Sequence, residues 1–217
     1  RFSARPLTLR SRAPAIDEHS EPLFRPRGIP SVIDGSPAAL PLDGVNVLDF
    51  SWVMAGPWST RVLADSGATV VKIESRTRLD LVRILGPFFG DKISAETSAS
   101  FASINAGKHS FELDPGTPDG KATILALVDW ADVVVESFSP KAMKKWGLDY
   151  ASLKLHKPDL IMLSTCLFGH TGPHALMAGY GTMGAALGGL TLPTGEPGRP
   201  PCGPFGPYTD YVAPRFS

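Results

Sequence analysis

Two glycine-containing stretches have residue types that can hold a phosphate group. Gly179, Gly181 and Gly184 match the spacing G-x-G-x-x-G, the dinucleotide-binding fingerprint. That fingerprint follows a strand at once and opens a helix, whereas here the nearest predicted strand ends near Ser164 and a loop with proline and glycine intervenes. We therefore interpret the three glycines as sites of close helix packing and expect no nicotinamide or flavin. Amides at the start of a helix after Gly56 could hold a phosphate or a carbonyl oxygen, as most helix starts could.

One aspartate in a glycine- and proline-rich stretch is a further candidate for chemistry. Asp210 lies in the stretch Pro-Tyr-Thr-Asp-Tyr-Val-Ala at residues 207–213, which predicts the start of a helix. An aspartate in that place is most often the helix N-cap. The amides and the dipole of the helix would favour its ionised form. From the residue pattern alone, the N-cap is the expected role.

The cysteines and histidines indicate neither a disulfide framework nor a metal. Cys166 and Cys202 lie far apart, there is no C-x-x-C spacing, and the five histidines are not clustered. A reducing compartment is then the default, so we expect the cytoplasm, with the mitochondrion as an alternative.

Charge and hydropathy exclude two classes of partner. Lysine and arginine number 21 against 21 acidic residues, so no net basic charge favours nucleic acid or an anionic membrane. No apolar run approaches the roughly 18 residues that a membrane-spanning helix needs. With 217 residues and 43% hydrophobic content, the chain can bury a sizeable core, as one domain or one domain with an additional piece.

Strand and helix patterns alternate from residue 45 onward. Four short apolar runs predict buried strands, at residues 45–50, 69–73, 132–135 and 160–163. The predicted helices are one opened by Gly56-Pro57 and closed by Gly67, one capped by Thr117, and one over residues 141–153. Strands apolar on both faces that alternate with helices indicate a parallel sheet covered on each side. The expected fold class is α/β, an open doubly wound, Rossmann-like parallel sheet.

In such a sheet a ligand lies beyond the carboxyl ends of the strands. The segments that follow the four predicted strands are 51–57, 74–76, 136–140 and 164–172. We expect a binding site to be built from these segments.

Several ordered motifs between residues 42 and 214 resemble one known family. The opening motifs are LDGVNVLDF at 42–50, AGP at 55–57 and LADSGATVVKIE at 63–74. The later ones are NAGKHS at 105–110, a stretch of the type A-D-V-x-x-E-x-x-x-P at 131–140, WGL at 146–148 and FGHTGP at 168–173. Together they resemble coenzyme A (CoA) transferase family III, the CaiB/BaiF family, whose superfamily includes formyl-CoA transferase, carnitine CoA-transferase and α-methylacyl-CoA racemase. The resemblance implies the large domain of such an enzyme, in truncated form.

The residues before this opening resemble the end of another family member. APAIDEHS at 13–20 is similar to the A-P-x-L-G-E-H-T segment with which a family III subunit ends. We therefore expect residues 1–25 to be the tail of a preceding half, 26–42 a proline-rich linker, and 43–217 the N-terminal part of a family III domain. A transit peptide is the alternative, because residues 1–12 are rich in Arg and Ser and lack acids.

The resemblance also implies a reaction and a nucleophile. In this family an aspartate attacks an acyl-CoA thioester, giving a mixed anhydride and CoA thiolate, which then completes transfer to a carboxylic acid. The family's aspartate corresponds to Asp210. The expected partners are an acyl-CoA and a carboxylic acid, both as substrates, with no permanently bound cofactor and no metal.

The CoA-binding residues implied by the family lie in five short segments. They are Val53, Met54 and Ala55; Arg76; Leu113 and Asp114; Ser137, Phe138 and Ser139 with Lys141 and Lys145; and Met177, Ala178, Gly179 and Tyr180. Arg76 and the two lysines would provide cations for the nucleotide phosphates, although solvent-exposed lysines are the plain alternative.

Departures from the family pattern bear on the substrate and the reaction. Met54 and Gly181 stand where formyl-CoA transferase-like members have polar or acidic side chains, which disfavours small oxalate-type substrates and leaves a bulkier acyl group open. Racemases of the superfamily have a G-H-D segment that aligns with residues 179–181, where this chain has no base. His170 and His174 are nearby, but His170 occupies a position where the family often has glutamine. A lyase or dehydratase acting on a CoA thioester stays open.

A different class of function is a catalytically silent half of a tandem protein, kept for CoA binding or assembly. Family III subunits form interlocked dimers, so we expect an interlocked homodimer or a tandem pseudo-dimer in the full-length protein. An isolated piece ending near Ser217 is expected to be unstable and inactive, because the chain that covers the sheet is missing.

Overall fold

The computed structural model describes residues 11–16, 18 and 40–217. Its sheet contains the strands β1 (Asn46–Asp49), β2 (Thr69–Glu74), β3 (His109–Glu112), β4 (Val133–Glu136) and β5 (Ile161–Ser164). The strand order is β3-β2-β1-β4-β5, and every neighbouring pair is parallel. The fold is therefore α/β with an open, doubly wound parallel sheet, as the sequence predicts.

Seven α-helices and two 3-10 turns accompany these strands in the described part of the chain. The helices are α1 (Ala55–Asp65), α2 (Ala99–Asn105), α3 (Pro118–Trp130), α4 (Pro140–Trp146), α5 (Tyr150–His156), α6 (Gly181–Leu187) and α7 (Tyr208–Val212). The 3-10 turns are Leu81–Ile84 and Ala213–Arg215. Within the described residues, no helix has the length and apolarity needed to cross a membrane.

Both faces of the sheet are covered. Successive strand residues point to opposite sides of the sheet, so each strand contributes side chains to both faces. Val47, Val70 and Val135 pack with Ala64 of α1 on one face. The other face carries Leu48, Val71 and Val134, which share a cluster with residues of α3, α4 and α5. The central strand β1 is thus buried on both faces.

The ends of the helices follow local chemistry. Thr117 caps α3, its hydroxyl accepting a hydrogen bond from Gly120 N at 3.1 Å. Gly67, at φ 114°, follows α1 and allows the chain to turn into β2. The single helix predicted over residues 141–153 is wrong, because Gly147 adopts a left-handed conformation (φ 67°) and separates α4 from α5.

Three of the strands and α-helices, namely α2, β3 and α6, have no counterpart in the sequence prediction. The helix α2 and the edge strand β3 both lie between residues 99 and 112, where polar residues interrupt the apolar pattern. The expectation of strands apolar on both faces is also wrong in β2, since Lys72 and Glu74 are buried there. Their burial places charged groups at the carboxyl end of the sheet.

The predicted tail (1–25) and linker (26–42) fall largely outside the described residues, which include only 11–16 and 18 of the tail and 40–42 of the linker. The described tail residues lie against the end of β2. Arg83 Nη2 donates to Pro14 O at 3.2 Å, and Arg76 Nη2 donates to Ile16 O at 3.1 Å. Pro14 and Ile16 are buried by this contact.

Candidate active site

The loops that follow β1 and β4 are joined at the carboxyl edge of the sheet. Trp52 N donates to Ser137 Oγ at 2.8 Å, and Ser137 Oγ lies 3.3 Å from Trp52 O, to which it donates. Phe138 packs edge-to-face against Trp52 and Trp146, with ring centroids 5.3 and 5.4 Å away. The predicted CoA segment 137–139 is therefore bound to Trp52, the residue that precedes the predicted segment 53–55, at the point where the strand order reverses.

The loop after β1 contains an unusual backbone conformation. Val53 has φ 68°, in the left-handed region that β-branched residues avoid. Its N–H donates to Asp80 Oδ1 at 3.1 Å. Asp80 is in turn paired with Lys72 at 3.3 Å, and Lys72 Nζ donates to Ser51 O at 2.6 Å. This buried pair fixes the loop, whose strained residue costs on the order of 1–3 kcal/mol.

A second buried ion pair lies beneath the same loop. Lys108 Nζ donates to Asp49 Oδ2 at 2.9 Å, to Pro57 O at 2.8 Å and to Asn105 Oδ1 at 2.9 Å. Burial alone would raise the pKa of Asp49, but Lys108 and Lys72, with the hydroxyls of Ser51 and Thr60, lower it from 3.8 to about 2. Burial lowers the pKa of Lys108 to about 8, against the attraction of Asp49.

Arg76, predicted as a phosphate-binding cation, already has a carboxylate partner. Its Nε lies 2.7 Å from Glu112 Oε2, and 58% of its side chain is exposed. Leu113 and Asp114 follow β3 nearby, where Leu113 N donates to Glu74 O at 2.9 Å. These three predicted residues lie beyond β2 and β3, on the other side of β1 from the turn at Ser137.

The remaining predicted CoA residues are exposed. Lys141 and Lys145 project from α4, just after Ser139, which occupies the N-cap position of that helix without a side-chain capping bond. Met177, Ala178 and Tyr180 lie in the segment before α6 and are exposed, whereas Gly179 is partly buried.

Asp210 is the third residue of α7 and not its N-cap, a position taken by Pro207. The expected N-cap role is therefore wrong. Its Oδ2 instead accepts a hydrogen bond from Gly181 N, the first residue of α6, at 3.1 Å. Burial raises the pKa of Asp210, and the hydrogen bond from the Gly181 amide lowers it by a smaller amount.

The helix that carries Asp210 packs against α1, which begins in the loop after β1. The rings of Trp58 and Tyr211 meet edge-to-face with centroids 5.6 Å apart. This contact places Asp210 beside the helix that starts at Ala55. The predicted nucleophile and the predicted CoA loop are thus joined through α1.

The three glycines with dinucleotide-like spacing lie where neighbouring atoms leave no room for a side chain. This confirms their interpretation as sites of close helix packing. A Cβ atom at Gly179 would lie 3.1 Å from Met183 Sδ and also contact Leu167. One at Gly184 would lie 2.9 Å from Leu167 Cδ1. A side chain at Gly181 would overlap the carboxylate of Asp210. All three glycines allow close contact between α6 and its neighbours.

A further carboxyl is buried at the ends of β4 and β5. Glu136 Oε2 accepts from Phe138 N at 2.7 Å, while Oε1 is buried without a hydrogen bond, 3.2 Å from His170 Nε2. Burial raises the pKa of Glu136, although Ser164, Phe138 N and His170 lower it. Burial, together with the charge of Glu136, raises the pKa of the Cys166 thiol.

Sequence reasoning missed the buried charged groups, although two signals were present. Lys72 and Glu74 interrupt an otherwise apolar strand, which is unusual unless the charges are paired. Lys108 belongs to the NAGKHS motif, whose function the pattern alone did not indicate. Within the described residues, no three His, Cys, Asp or Glu side chains are grouped to hold a metal ion.

Comparison with known proteins agrees with this architecture. The family model described as CoA-transferase family III matches residues 42–217, and the chain belongs to that family. Succinate–glutarate CoA-transferase of Agrobacterium fabrum is 41% identical over 163 residues, covering 74% of this chain and 41% of the relative. Succinyl-CoA:mesaconate CoA-transferase of Haloarcula hispanica is 42% identical over 164 residues, with the same coverage of 74% and 41%.

Solved structures of the family have the same fold. A CaiB/BaiF family protein from Brucella suis superimposes with a TM-score of 0.73 at 41% identity, covering 79% of this chain and 45% of the other. A hypothetical protein from Mycobacterium tuberculosis gives a TM-score of 0.72 at 34% identity, covering 82% and 48%. The chain spans less than half the length of the curated relatives above, 41% in each case.

Proposed function

We propose that the protein transfers CoA between an acyl-CoA and a carboxylic acid, with Asp210 as the nucleophile. The observation that carries this proposal is the environment of Asp210. One carboxylate oxygen is held by the Gly181 amide, and the other has no hydrogen-bond partner among the described residues. Burial also disfavours the charge on this carboxylate, which removes part of the hydration that would hinder attack.

The proposed reaction divides the transfer into acyl exchanges. The free oxygen of Asp210 attacks the carbonyl carbon of the thioester, the C–S bond breaks, and CoA leaves as the thiolate. The thiolate then attacks the aspartyl carbonyl of this mixed anhydride, which releases the donor acid and leaves Asp210 as a CoA thioester. The acceptor carboxylate attacks that thioester, giving a second mixed anhydride and CoA thiolate. The thiolate finally attacks the acyl carbon of the acceptor, which forms the new acyl-CoA and restores the Asp210 carboxylate. Two relatives are named for the dicarboxylates succinate, glutarate and mesaconate, so acids of that class are the first acceptors to test.

The CoA moiety is proposed to lie along the joined loops at 53–55 and 137–139. Lys141 and Lys145 are exposed on the adjoining helix and can reach phosphates, whereas Arg76 has to share its guanidinium with Glu112. We therefore rank the two lysines above Arg76 as phosphate-binding groups.

Racemisation needs a second base opposite Asp210. The residues around Asp210 support racemisation less well than CoA transfer. Gly181, which touches the carboxylate, has no side chain. His170 Nε2 faces Glu136 and not Asp210. The transfer reaction needs no such base.

Mass spectrometry of trapped intermediates tests the proposal. The purified full-length protein is mixed with acetyl-, succinyl- and glutaryl-CoA, quenched with hydroxylamine, and digested. A hydroxamate on the peptide that contains Asp210 is expected in the wild type and in Asp159→Asn, an exposed aspartate before β5. It should be absent in Asp210→Ala. CoA binding without any adduct would instead support a catalytically silent half.

The assembly is part of the same proposal. Large apolar side chains are exposed along the C-terminal segment, among them Leu187 (69%), Leu192 (75%) and Phe205 (103%). One relative from Chloroflexus aurantiacus is named as the alpha subunit of a succinyl-CoA–L-malate CoA-transferase. We propose that this segment is covered by a second chain or by a second half of the same chain. Light scattering of the purified protein distinguishes a dimer from a monomer.

A further inference from the structure

Two adjacent side chains of α7 use both backbone polar groups of one glycine. Thr209 Oγ1 donates to Gly181 O at 2.5 Å, and Asp210 Oδ2 accepts from Gly181 N at 3.1 Å. We name this pair of bonds the Gly181 clamp. It joins residues 28 and 29 positions apart in the sequence, so it fixes α7 relative to the start of α6.

The clamp needs glycine at its centre for reasons of space. A Cβ atom at Gly181 would overlap the carboxylate of Asp210 and lie 2.8 Å from Thr209 Oγ1. Gly181 is not among the glycines with positive φ, so its backbone would accept alanine. The absence of a side chain is therefore required by the approach of Thr209 and Asp210.

From this geometry we infer that Thr209 is a positioning residue for Asp210. The inference rests on the proposed nucleophilic role of Asp210. Two bonds to one residue restrict the rotation of α7 and direct Oδ2 to the Gly181 amide, which leaves Oδ1 outward. When Oδ1 attacks the thioester carbon and the thiolate leaves, Oδ2 becomes the carbonyl oxygen of the anhydride and still accepts from Gly181 N. The bond between Asp210 and Gly181 is thus kept throughout the step.

A purely structural role for Thr209 predicts different behaviour. If its hydroxyl only joined two helices, its loss would lower stability and leave the reaction of bound acyl-CoA unchanged. A positioning role predicts that the chemical step is slowed while the binding of CoA is kept.

The test compares substitutions that keep or remove the hydroxyl. Thr209→Val has nearly the same shape as threonine and removes the donor to Gly181 O. Thr209→Ser keeps the donor, and Thr182→Val is the matched control, because the exposed Thr182 makes no side-chain hydrogen bond to the described residues. Each variant is made in the full-length protein and mixed with saturating acyl-CoA, and the rate at which the hydroxylamine-trapped adduct forms on Asp210 is followed by quench flow. The dissociation constant for CoA is measured by calorimetry.

We expect Thr209→Val to slow adduct formation roughly tenfold, because the free energy of one orienting hydrogen bond corresponds to about that change in rate. The affinity for CoA should be unchanged. Thr209→Ser and Thr182→Val should stay within about threefold of wild type. The inference is overturned if Thr209→Val reacts at the wild-type rate, or if Thr209→Ser is equally impaired. An absence of adduct in the wild type would overturn the proposed function itself, and the inference with it.

Gly181→Ala provides an independent check when Thr209→Val is poorly folded. Alanine favours helix more than glycine, so α6 itself should not be weakened. Because the new methyl group displaces the carboxylate, adduct formation should slow by at least tenfold while CoA still binds. An undiminished rate in Gly181→Ala would count against the clamp.

Discussion

Asp49 and Asp210 are the same residue type in opposite surroundings. Asp49 is completely buried, accepts bonds from Lys108, Ser51 and Thr60, and has its pKa lowered to about 2. Asp210 is half-buried, accepts one bond from a backbone amide, and has its pKa raised. Paired charges below the loop provide rigidity, while Asp210 has one oxygen without a partner among the described residues, as the proposed nucleophile requires.

Removing the charge of Asp49 should produce the largest loss of stability. Asp49→Asn leaves Lys108 and Lys72 buried without one of their carboxylates, which costs about 3–5 kcal/mol. Urea denaturation followed by circular dichroism measures the change. Asp210→Asn is the matched variant, and a loss above about 1 kcal/mol there would erase the contrast between the two carboxyls.

Lowering the pH should remove the stability that the ionised carboxylate of Asp49 contributes. Because the pKa of Asp49 is about 2 when folded and 3.8 in the ordinary state, its contribution is present above pH 3.8 and is lost as the pH falls through 2. We expect a decrease of about 2 kcal/mol in the free energy of unfolding from this group. The difference between wild type and Asp49→Asn, measured from pH 5 to pH 2, isolates it. If the difference in the free energy of unfolding between the two proteins does not decrease as the pH falls, the lowered pKa of Asp49 is contradicted.

Glu136 should behave unlike Asp49, although it is equally buried. Its pKa is raised by burial, so the ionised form costs stability, increasingly as the pH rises through the folded-state pKa. Glu136→Gln keeps an acceptor for Phe138 N and removes the charge. We expect no loss of stability at pH 8, and a thermal melt provides the comparison. A clear destabilisation would indicate that His170 or another cation stabilises the carboxylate.

A small net effect is expected at Val53. Val53→Gly relieves a left-handed conformation worth roughly 1–3 kcal/mol, which offsets the loss of a partly buried side chain. The net change should be below about 1 kcal/mol. Val82→Ala, a buried valine in the same hydrophobic cluster, should cost more than Val53→Gly. Equal losses in the two variants would mean that Val53 is not strained.

The main strands and the fold class could be predicted because their information is local. Apolar runs such as 45–50 and 132–135, and the capping residue Thr117, act through their own neighbours in sequence. The edge strand β3 was missed because its buried Ser110 and its flanking His109 and Glu112 do not form an apolar run. Its place depends on pairing with β2, which sequence pattern does not show.

The candidate site was predictable in position but not in contacts. Parallel strands bring their carboxyl ends to one edge, so the segments at 53–55 and 137–139 could be placed together. The contact between Asp210 and Gly181 could not be foreseen, because 29 positions separate the two residues in the sequence. The N-cap expectation was wrong because α7 begins at Tyr208, two residues before Asp210.

The strand order determines when each strand of the sheet can pair with its neighbours during translation. The central strand β1 pairs with β2 directly but with β4 only after the intervening helices have been made, and Asn46 N reaches Asp132 across 86 positions. A ribosome adds roughly 5–20 residues per second, so several seconds pass before β1 gains its second neighbour. During that interval the edge of β1 that β4 later covers would be exposed to water and to other nascent chains. The protein should therefore depend on chaperones more while it is being translated than after it is complete.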